Sequence, residues 1–326
     1  MLTKIRIQQL FNLYDYDIDL TNSDGSMVKF ITAPNGYGKT TLLDFIEAAM
    51  RQSYDKMFII PFKLFELFYN ETGSNVEYRY VVERNDEKSA VSYTDIPQQV
   101  VKRLDVYLKK IAENEEKPIE QFSVKQEPTG KTIIEGSTEN IQMFYTTHTH
   151  FYLNDHRTLS MKMDVVDETS MLGSWKTDAY PDEMKTILSS PVKSQEYADR
   201  IAAFRDIINR CDFANKHLEI NPRYGFRFKA DDELQSILTL DQLSSGEKQM
   251  VIQVYELLFR AQSGTLVMID EPELSLHMMW QMNYLKNLSE ISQLRGFQCI
   301  VATHSPQIFN SLWSKSVDLF TISNQE

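Results

Sequence analysis

Two glycine-bearing turns and a pair of adjacent carboxylates are the residues in this chain best suited to chemistry. The first turn is Ala33-Pro34-Asn35-Gly36-Tyr37-Gly38-Lys39-Thr40-Thr41. It follows a short apolar strand, Met27 to Thr32, and runs into a helix read from Leu42 to about Ser53, with Leu42, Leu43, Phe45, Ile46 and Ala49 as its apolar set. Strand, glycine loop, Lys-Thr and helix is an arrangement that wraps a polyphosphate. Glycines let backbone N–H groups converge, the lysine places a point charge on the outer phosphates, and the threonine hydroxyl can ligate Mg²⁺. Asn35, Gly36, Gly38, Lys39, Thr40 and Thr41 are the candidate phosphate contacts, with Thr40 also a candidate metal ligand. Ala33 stands where the first glycine of such loops is usual, and it fits if its φ stays negative.

The second turn is Leu243-Ser244-Ser245-Gly246-Glu247-Lys248-Gln249, and an apolar-periodic helix follows it at once. A Ser-Ser-Gly turn opening a helix aims free N–H groups and the positive end of the helix dipole at one point, which again suits a phosphate. Ser244, Ser245, Gly246 and Glu247 are the candidate contacts. One nucleotide needs only one cradle. Two cradles in one chain imply that two copies meet, each offering the serine–glycine turn to the nucleotide held by the other.

The carboxylates are Asp270 and Glu271, at the end of the apolar run Thr265-Leu266-Val267-Met268-Ile269. That run reads as a buried strand, and in parallel α/β sheets ligands bind at the C-terminal strand edge. Adjacent carboxylates beside phosphates need a cation between them. Asp270 suits a metal ligand through water, and Glu271 a general base or an orienting group for attacking water. A further apolar strand, Phe297 to Thr303, ends in His304, which is placed to hydrogen-bond a terminal phosphate or that water.

The elements around these residues are unevenly legible. The first 32 residues read as β structure with a turn at Asn22 to Ser26. Strands are predicted at Val76 to Val82, Ser89 to Ser92, Lys131 to Glu135, Phe151 to Arg157 and Tyr224 to Phe228, with turns at Asn114 to Pro118 and Gln126 to Gly130. Helices are predicted at Asp95 to Ala112, about Ser194 to His217, and Pro306 to Trp313, with a last strand from Val317 to Ile322. Gly173, Ser174, Trp175 and Pro181 mark loops. Lys109-Lys110 reads as a solvated helix face, and His148 with His150 as packing residues rather than a metal site. His156 and Arg157 either reach the nucleotide or belong to a surface turn.

The chain has 326 residues and a net charge of −12, which argues against a surface basic throughout. Cys211 and Cys299 form no metal or disulfide framework and read as buried thiols of a reducing compartment. No apolar run is long enough to span a membrane, and Lys4, Arg6, Gln8 and Gln9 interrupt any signal core, so the expectation is a cytoplasmic protein without a membrane partner.

In this order, the motifs resemble those of the ABC-type ATPase family. Ala33 to Thr41 is similar to its Walker A loop, Leu243 to Glu247 to its signature motif, Leu266 to Glu271 to its Walker B strand, and His304 to its switch histidine. The resemblance covers roughly the first 50 and the last 90 residues. The segment Glu271 to His277 is similar to the soluble SMC, RecF and OLD-like branch, and Ser245 and Glu247 depart from the Leu-Ser-Gly-Gly-Gln of transporters. No SMC-type coiled coil and no OLD-type nuclease domain are legible, so the chain looks like a compact stand-alone OLD-like ATPase.

The resemblance implies an α/β ABC-type head with a mixed β-sheet. Residues 1–53 and 241–326 would form the core, and 54–240 an inserted helical and β lid. It implies ATP and Mg²⁺ as cofactors and a head-to-head dimer. Lys39, Thr40, Asp270, Glu271 and His304 would act in cis, and Ser245 and Gly246 in trans. Related bacterial proteins often serve anti-phage defence with a separately encoded nuclease or toxin, so a partner effector is expected. The alternative is a DNA-binding ATPase of repair or recombination, using Lys109-Lys110 and the basic residues between Arg200 and Arg227; a transporter ATPase fits least.

Overall fold

A computed structural model describes residues 1–51, 57, 60–70, 77–84, 122–128, 150–153, 179–309 and 312–323. Among these, five parallel strands form the centre, in the order β13 (Ser316–Asp318), β3 (Val28–Thr32), β12 (Gln298–Thr303), β11 (Leu266–Asp270) and β7 (His150–Leu153). β3, β11 and β12 are buried along their whole length, as strands covered on both faces must be. Their side chains alternate between two cores. Phe30, Val267, Ile269 and Val301 enter one; Ile31, Leu266, Met268 and Ile300 enter the other.

The second core is closed by α1 (Lys39–Arg51) and an antiparallel sheet. Its order is β2 (Tyr14–Asp19), β1 (Leu2–Leu10), β4 (Leu64–Asn70), β5 (Glu77–Arg84) and β6 (Phe122–Pro128). β1 alternates apolar-in and polar-out; from its polar face Arg6 reaches Asp17 at 2.8 Å and the fully buried Glu66 at 3.3 Å. Gln298 joins the two sheets: it accepts from Leu2 N at 2.8 Å and donates to Leu2 O at 2.6 Å. The mixed character of the fold is thus divided between a parallel and an antiparallel sheet.

The first core is closed by α2 (Ala179–Ser189), α3 (Pro191–Arg210), α4 (Ser245–Tyr255), α5 (Met278–Arg295) and a small antiparallel sheet. That sheet contains β8 (Lys216–Asn221), β9 (Gly225–Ala230) and β10 (Ile237–Leu238). α3 begins at an N-cap, Ser190, with Pro191 in the first turn. α5 ends where Gly296 takes φ 68° and turns the chain into β12.

Several elements differ from the sequence expectation, each for a local reason. The helix after the phosphate loop starts three residues early, at Lys39, and its far end past Arg51 lies outside the described residues. The helix expected to run to His217 stops at Arg210, because Asp212 and Asn215 take left-handed φ of 50° and 60° and turn the chain into β8. Pro181 sits in the first turn of α2 rather than in a loop, a position that tolerates proline. The turn expected from Gln126 is strand as far as Pro128, which closes an edge strand where proline is permitted.

The final strand is only Ser316–Asp318. The Asp318 carboxylate then accepts from Phe320 N at 3.2 Å and Thr321 Oγ1 at 2.6 Å, capping α6 (Leu319–Ser323). Pro306 to Phe309 is a turn rather than a helix, with Ile308 N bonded to Ser305 O at 3.2 Å, and a 3₁₀ turn follows at Trp313–Lys315. The helix after the serine–glycine turn becomes a π turn at Glu256–Arg260, where Ala261 N reaches Glu256 O at 3.0 Å. β4 and β5 fall in the stretch expected as an inserted lid; β4 pairs with β1, and β5 with β4, in the antiparallel sheet. The expected helix at Asp95 to Ala112 with its Lys109-Lys110, the strands at Ser89 to Ser92 and Lys131 to Glu135, and His148, His156 and Arg157 lie outside the described residues.

α2 and β9 meet at Gly225, which has φ 78°; a Cβ there would stand 1.8 Å from the backbone oxygen of Pro181. Gly225→Ala is therefore expected to combine backbone strain with a backbone clash and destabilise the protein by about 3 kcal/mol. Thermal unfolding of the variant measures this as a fall in Tm on the order of 10 °C; an unchanged Tm would contradict the packing described.

Candidate active site

The parallel ladder brings three strand ends to one edge. Thr32 of β3 pairs with Thr303 of β12, and Ala302 of β12 with Asp270 of β11, so the phosphate loop, His304 and Glu271 leave the sheet together. This edge is where α/β sheets of this kind bind ligands.

The phosphate loop joins β3 to α1. Ala33 is buried and absent from the residues with positive φ, whereas Gly36 and Gly38 take φ of 91° and 81°. Gly38 is also held by space, since a Cβ there would meet Leu10 Cδ2 at 2.8 Å and Phe11 Cε2 at 3.1 Å. Around Gly36 there is room, and Asn35 and Gly36 are exposed. Tyr37 braces the loop from outside by stacking on Tyr14 at 5.3 Å, and its carbonyl accepts from Tyr16 Oη at 2.9 Å. Lys39 is buried, with its ammonium turned inward onto the carbonyls of Ala33 at 2.9 Å and Pro34 at 3.3 Å. Thr41 is half-buried on the first turn of α1.

Thr40 Oγ1 donates to Asp270 Oδ2 at 2.7 Å, spanning β12 to tie the loop to the carboxylate strand. Asp270 is buried. Glu271 takes the left-handed conformation, φ 44° and ψ 53°, and its N–H continues the ladder to Ala302 O at 2.8 Å. A non-glycine residue in that region carries strain, of the kind found at active sites. The turn throws the Glu271 side chain off the strand, half-buried, with Oε1 at 3.6 Å from His304 Nδ1. That separation is longer than a hydrogen bond. The half-exposed His304 lines a cavity of about 420 Å³ together with Ala33, Pro34 and Asn35. Lys39, Thr40, Asp270, Glu271 and His304 are thus gathered at one point.

The serine–glycine turn stands at the N-terminus of α4. Ser244 caps the helix: its Oγ accepts from Glu247 N at 3.3 Å, while Glu247 Oε2 accepts from Ser244 N at 2.7 Å. Glu247 is buried and its Oε1 pairs with Lys216 Nζ at 2.8 Å. Burial alone would raise this carboxyl, but the bonds from Lys216 and the Ser244 backbone outweigh it and hold the group below the ordinary glutamate value. Glu247 was expected as a nucleotide contact; its carboxylate is committed to clamping the turn. Ser244 and Ser245 are exposed, and the first-turn N–H groups of such a helix have no partner within it.

The sequence reading overlooked Glu273. Its carboxylate is buried behind Pro272 and takes donors from the end of β12. A third carboxylate two residues beyond Glu271, across a proline, was the available signal.

Comparison with known proteins follows this geometry. Residues 34–310 match the family described as "AAA domain, putative AbiEii toxin, Type IV TA system". The chain is 33% identical over 91 residues to a protein of Escherichia coli named "Retron Ec83 probable ATPase", a match covering 24% of this chain and 16% of that protein. Among solved structures it is similar to an SmcHead bound to the C-winged helix domain of ScpA, with TM-score 0.54, 14% identity, and 94% of this chain and 90% of that chain covered. It is likewise similar to the SMC head domain from Thermotoga maritima, with TM-score 0.50, 14% identity, and 95% and 91% covered. At that identity the two structures speak for the fold alone. With the phosphate loop, the carboxylate strand and a family match over most of its length, the chain belongs to the AAA family of the AbiEii type and is an ATPase on an ABC-like P-loop head.

Proposed function

We propose that this ATPase is a two-headed switch: two copies close around two ATP molecules with Mg²⁺, and the closed state controls a separately encoded effector such as a nuclease or toxin in anti-phage defence. The observation that carries the reading is a second exposed cradle. Lys39, Thr40, Asp270, Glu271 and His304 sit together at one sheet edge, and the capped turn at Ser244 and Ser245 presents an exposed helix N-terminus of its own. A second copy supplies what each edge lacks, and a terminal phosphate between the two is the bridge that hydrolysis removes.

In this reading the loop N–H groups and the Lys39 ammonium bind the phosphates, the ammonium leaving the Ala33 and Pro34 carbonyls to do so. The Thr40 hydroxyl and Asp270 carboxylate fit Mg²⁺ as hard oxygen donors already brought to 2.7 Å of each other. Among the described residues no group of three or more His, Cys, Asp or Glu is arranged to hold a metal by itself. The ion is therefore expected to bind with phosphate oxygens completing its shell, and when bound it supplies charge neutralisation at the transferring phosphoryl group. Glu271, left without a hydrogen bond to His304, is available to orient the attacking water.

Support for effector control is by likeness to the retron ATPase, whose match is short. The DNA-binding alternative draws less support. Of its basic residues, Arg205, Arg210, Lys216 and Arg227 are paired with Asp206, Glu290, Glu247 and Glu219 at 2.8–3.2 Å, which engages those four charges within the protein rather than leaving them for phosphates. Also, among the described residues no helix is long and apolar enough to cross a membrane.

Steady-state turnover and light scattering of three proteins test the reading. Glu271→Gln is expected to slow hydrolysis on the order of 10²-fold and to accumulate as a dimer with ATP and Mg²⁺. Ser245→Arg is expected to abolish turnover and dimerisation while ATP binding to the monomer is unchanged. Added duplex DNA is expected to leave wild-type turnover unaltered. Normal hydrolysis by Ser245→Arg would remove the trans role.

A further inference from the structure

We infer that Lys216 is a positioning residue for the shared centre. By pairing with Glu247 it steadies the serine–glycine turn and cancels the one negative charge of that turn, so that the N-terminus of α4 accepts the terminal phosphate of a second copy's ATP. The inference rests on the proposed trans role of the turn and deepens it.

Backbone conformation outside the turn brings the lysine to it. α3 stops at Arg210, and the left-handed Asp212 and Asn215, with φ of 50° and 60°, redirect the chain into β8. Lys216 opens that strand, its backbone paired with Ala230 of β9. Its Nζ donates to Glu247 Oε1 at 2.8 Å. The lysine side chain is 22% exposed and that of Glu247 only 5%. Glu247 Oε2 meanwhile accepts from Ser244 N at 2.7 Å, and Glu247 N donates to Ser244 Oγ at 3.3 Å. One carboxylate oxygen thus folds the turn, and the other takes a cation from a different element.

The cation matters because of what the turn must hold. A helix N-terminus favours an anion through its unpaired N–H groups and its dipole. Glu247 lies in the first turn of α4 and already places a carboxylate there. Burial raises its carboxyl, but Lys216 and Ser244 more than offset this, so the group is ionised. Left unpaired, that buried negative charge would compete with a phosphate for the same positive end and repel it. Lys216 neutralises the charge without disturbing the hydrogen bond to Ser244 N. The exposed Ser244 and Ser245 then stand on a helix end that still attracts an anion. A glutamine would cap the turn equally well with no charge. A glutamate makes the turn depend on its lysine.

Lys216→Met removes the charge and keeps the stem. Its turnover is expected to fall on the order of tenfold or more, with binding of a fluorescent ATP analogue to the monomer unchanged. Mixing then shows which half of the centre is damaged. With Lys39→Ala, whose serine–glycine turn is intact, Lys216→Met is expected to regain turnover, because its own phosphate loop is sound. With Ser245→Arg it is expected to stay inactive, since both turns are then impaired. A lysine that only held the fold together would give rescue by neither. Lys216→Met/Glu247→Gln, which also removes the orphaned charge, is expected to recover most of the lost turnover. It carries the test alone if Lys216→Met does not fold, and an inactive double variant overturns the inference. Wild-type turnover in Lys216→Met, or rescue that does not require Lys39→Ala, would overturn it while sparing the shared centre. If Lys39→Ala and Ser245→Arg fail to restore each other, the shared centre itself falls.

Discussion

The register of three parallel strands is the constraint on which the site depends. Thr32, Thr303 and Asp270 lie at matched heights only because β3, β12 and β11 pair as they do. Strands buried on both faces resist slippage, since a shift of one residue would exchange the contents of the two cores and strand Phe30, Val267 and Val301 against the wrong neighbours. The hydrophobic packing of the centre therefore sets the distances at its polar edge. The Thr40–Asp270 hydrogen bond is the direct product, reaching across β12 from the helix of one strand to the tip of another. The antiparallel sheet is fixed to the same frame by the paired bonds between Gln298 and Leu2.

The polar groups of the motifs fall into two kinds. Some already have partners within the protein: both oxygens of Glu247, with Ser244 and Lys216, and Oε1 of Glu273, with Thr303 and the His304 N–H. Others sit in arrangements that a phosphate would improve, as with Lys39 folded onto its own loop carbonyls. The left-handed Glu271 belongs with these, because its strain is held by one ladder bond to Ala302 and gains no compensating side-chain hydrogen bond from His304. This contrast separates the groups that build the site from those that the proposed reading leaves for nucleotide and water.

The residues with the clearest local chemistry were the most legible. Glycines at 36 and 38, the Lys-Thr pair, Ser244 with Glu247 three residues on, and an apolar run ending in Asp-Glu each carry their reason in a short window. The structure places each at a strand end or helix start. What could not be read depended on distant contacts. α5 went unnoticed because its first two turns expose Met278, Met279 and Met282 while Tyr284, Leu285, Leu288 and Ile291 are buried, so no single apolar stripe marks it. The end of α3 was placed too late because Asp212 and Asn215 break the helix through backbone conformation rather than composition. Glu273 drew no reading of its own, because its partner Thr303 lies thirty residues away on β12. Glu247 illustrates the reverse: its type suggested a ligand contact, and its neighbours made it a clamp.

The central claim is that no single chain holds a complete catalytic centre. Mixing two defective proteins tests it most directly, one with Lys39→Ala and one with Ser245→Arg. Each alone is inactive if the site is shared, but a mixed pair holds one intact centre, made from the phosphate loop of the second and the serine–glycine turn of the first. Equal mixing should then restore turnover, to at most about half of the wild-type rate, since a mixed two-fold pair holds one intact centre of two. Two folded variants that stay inactive together, or a Ser245→Arg protein that turns over unaided, would contradict it.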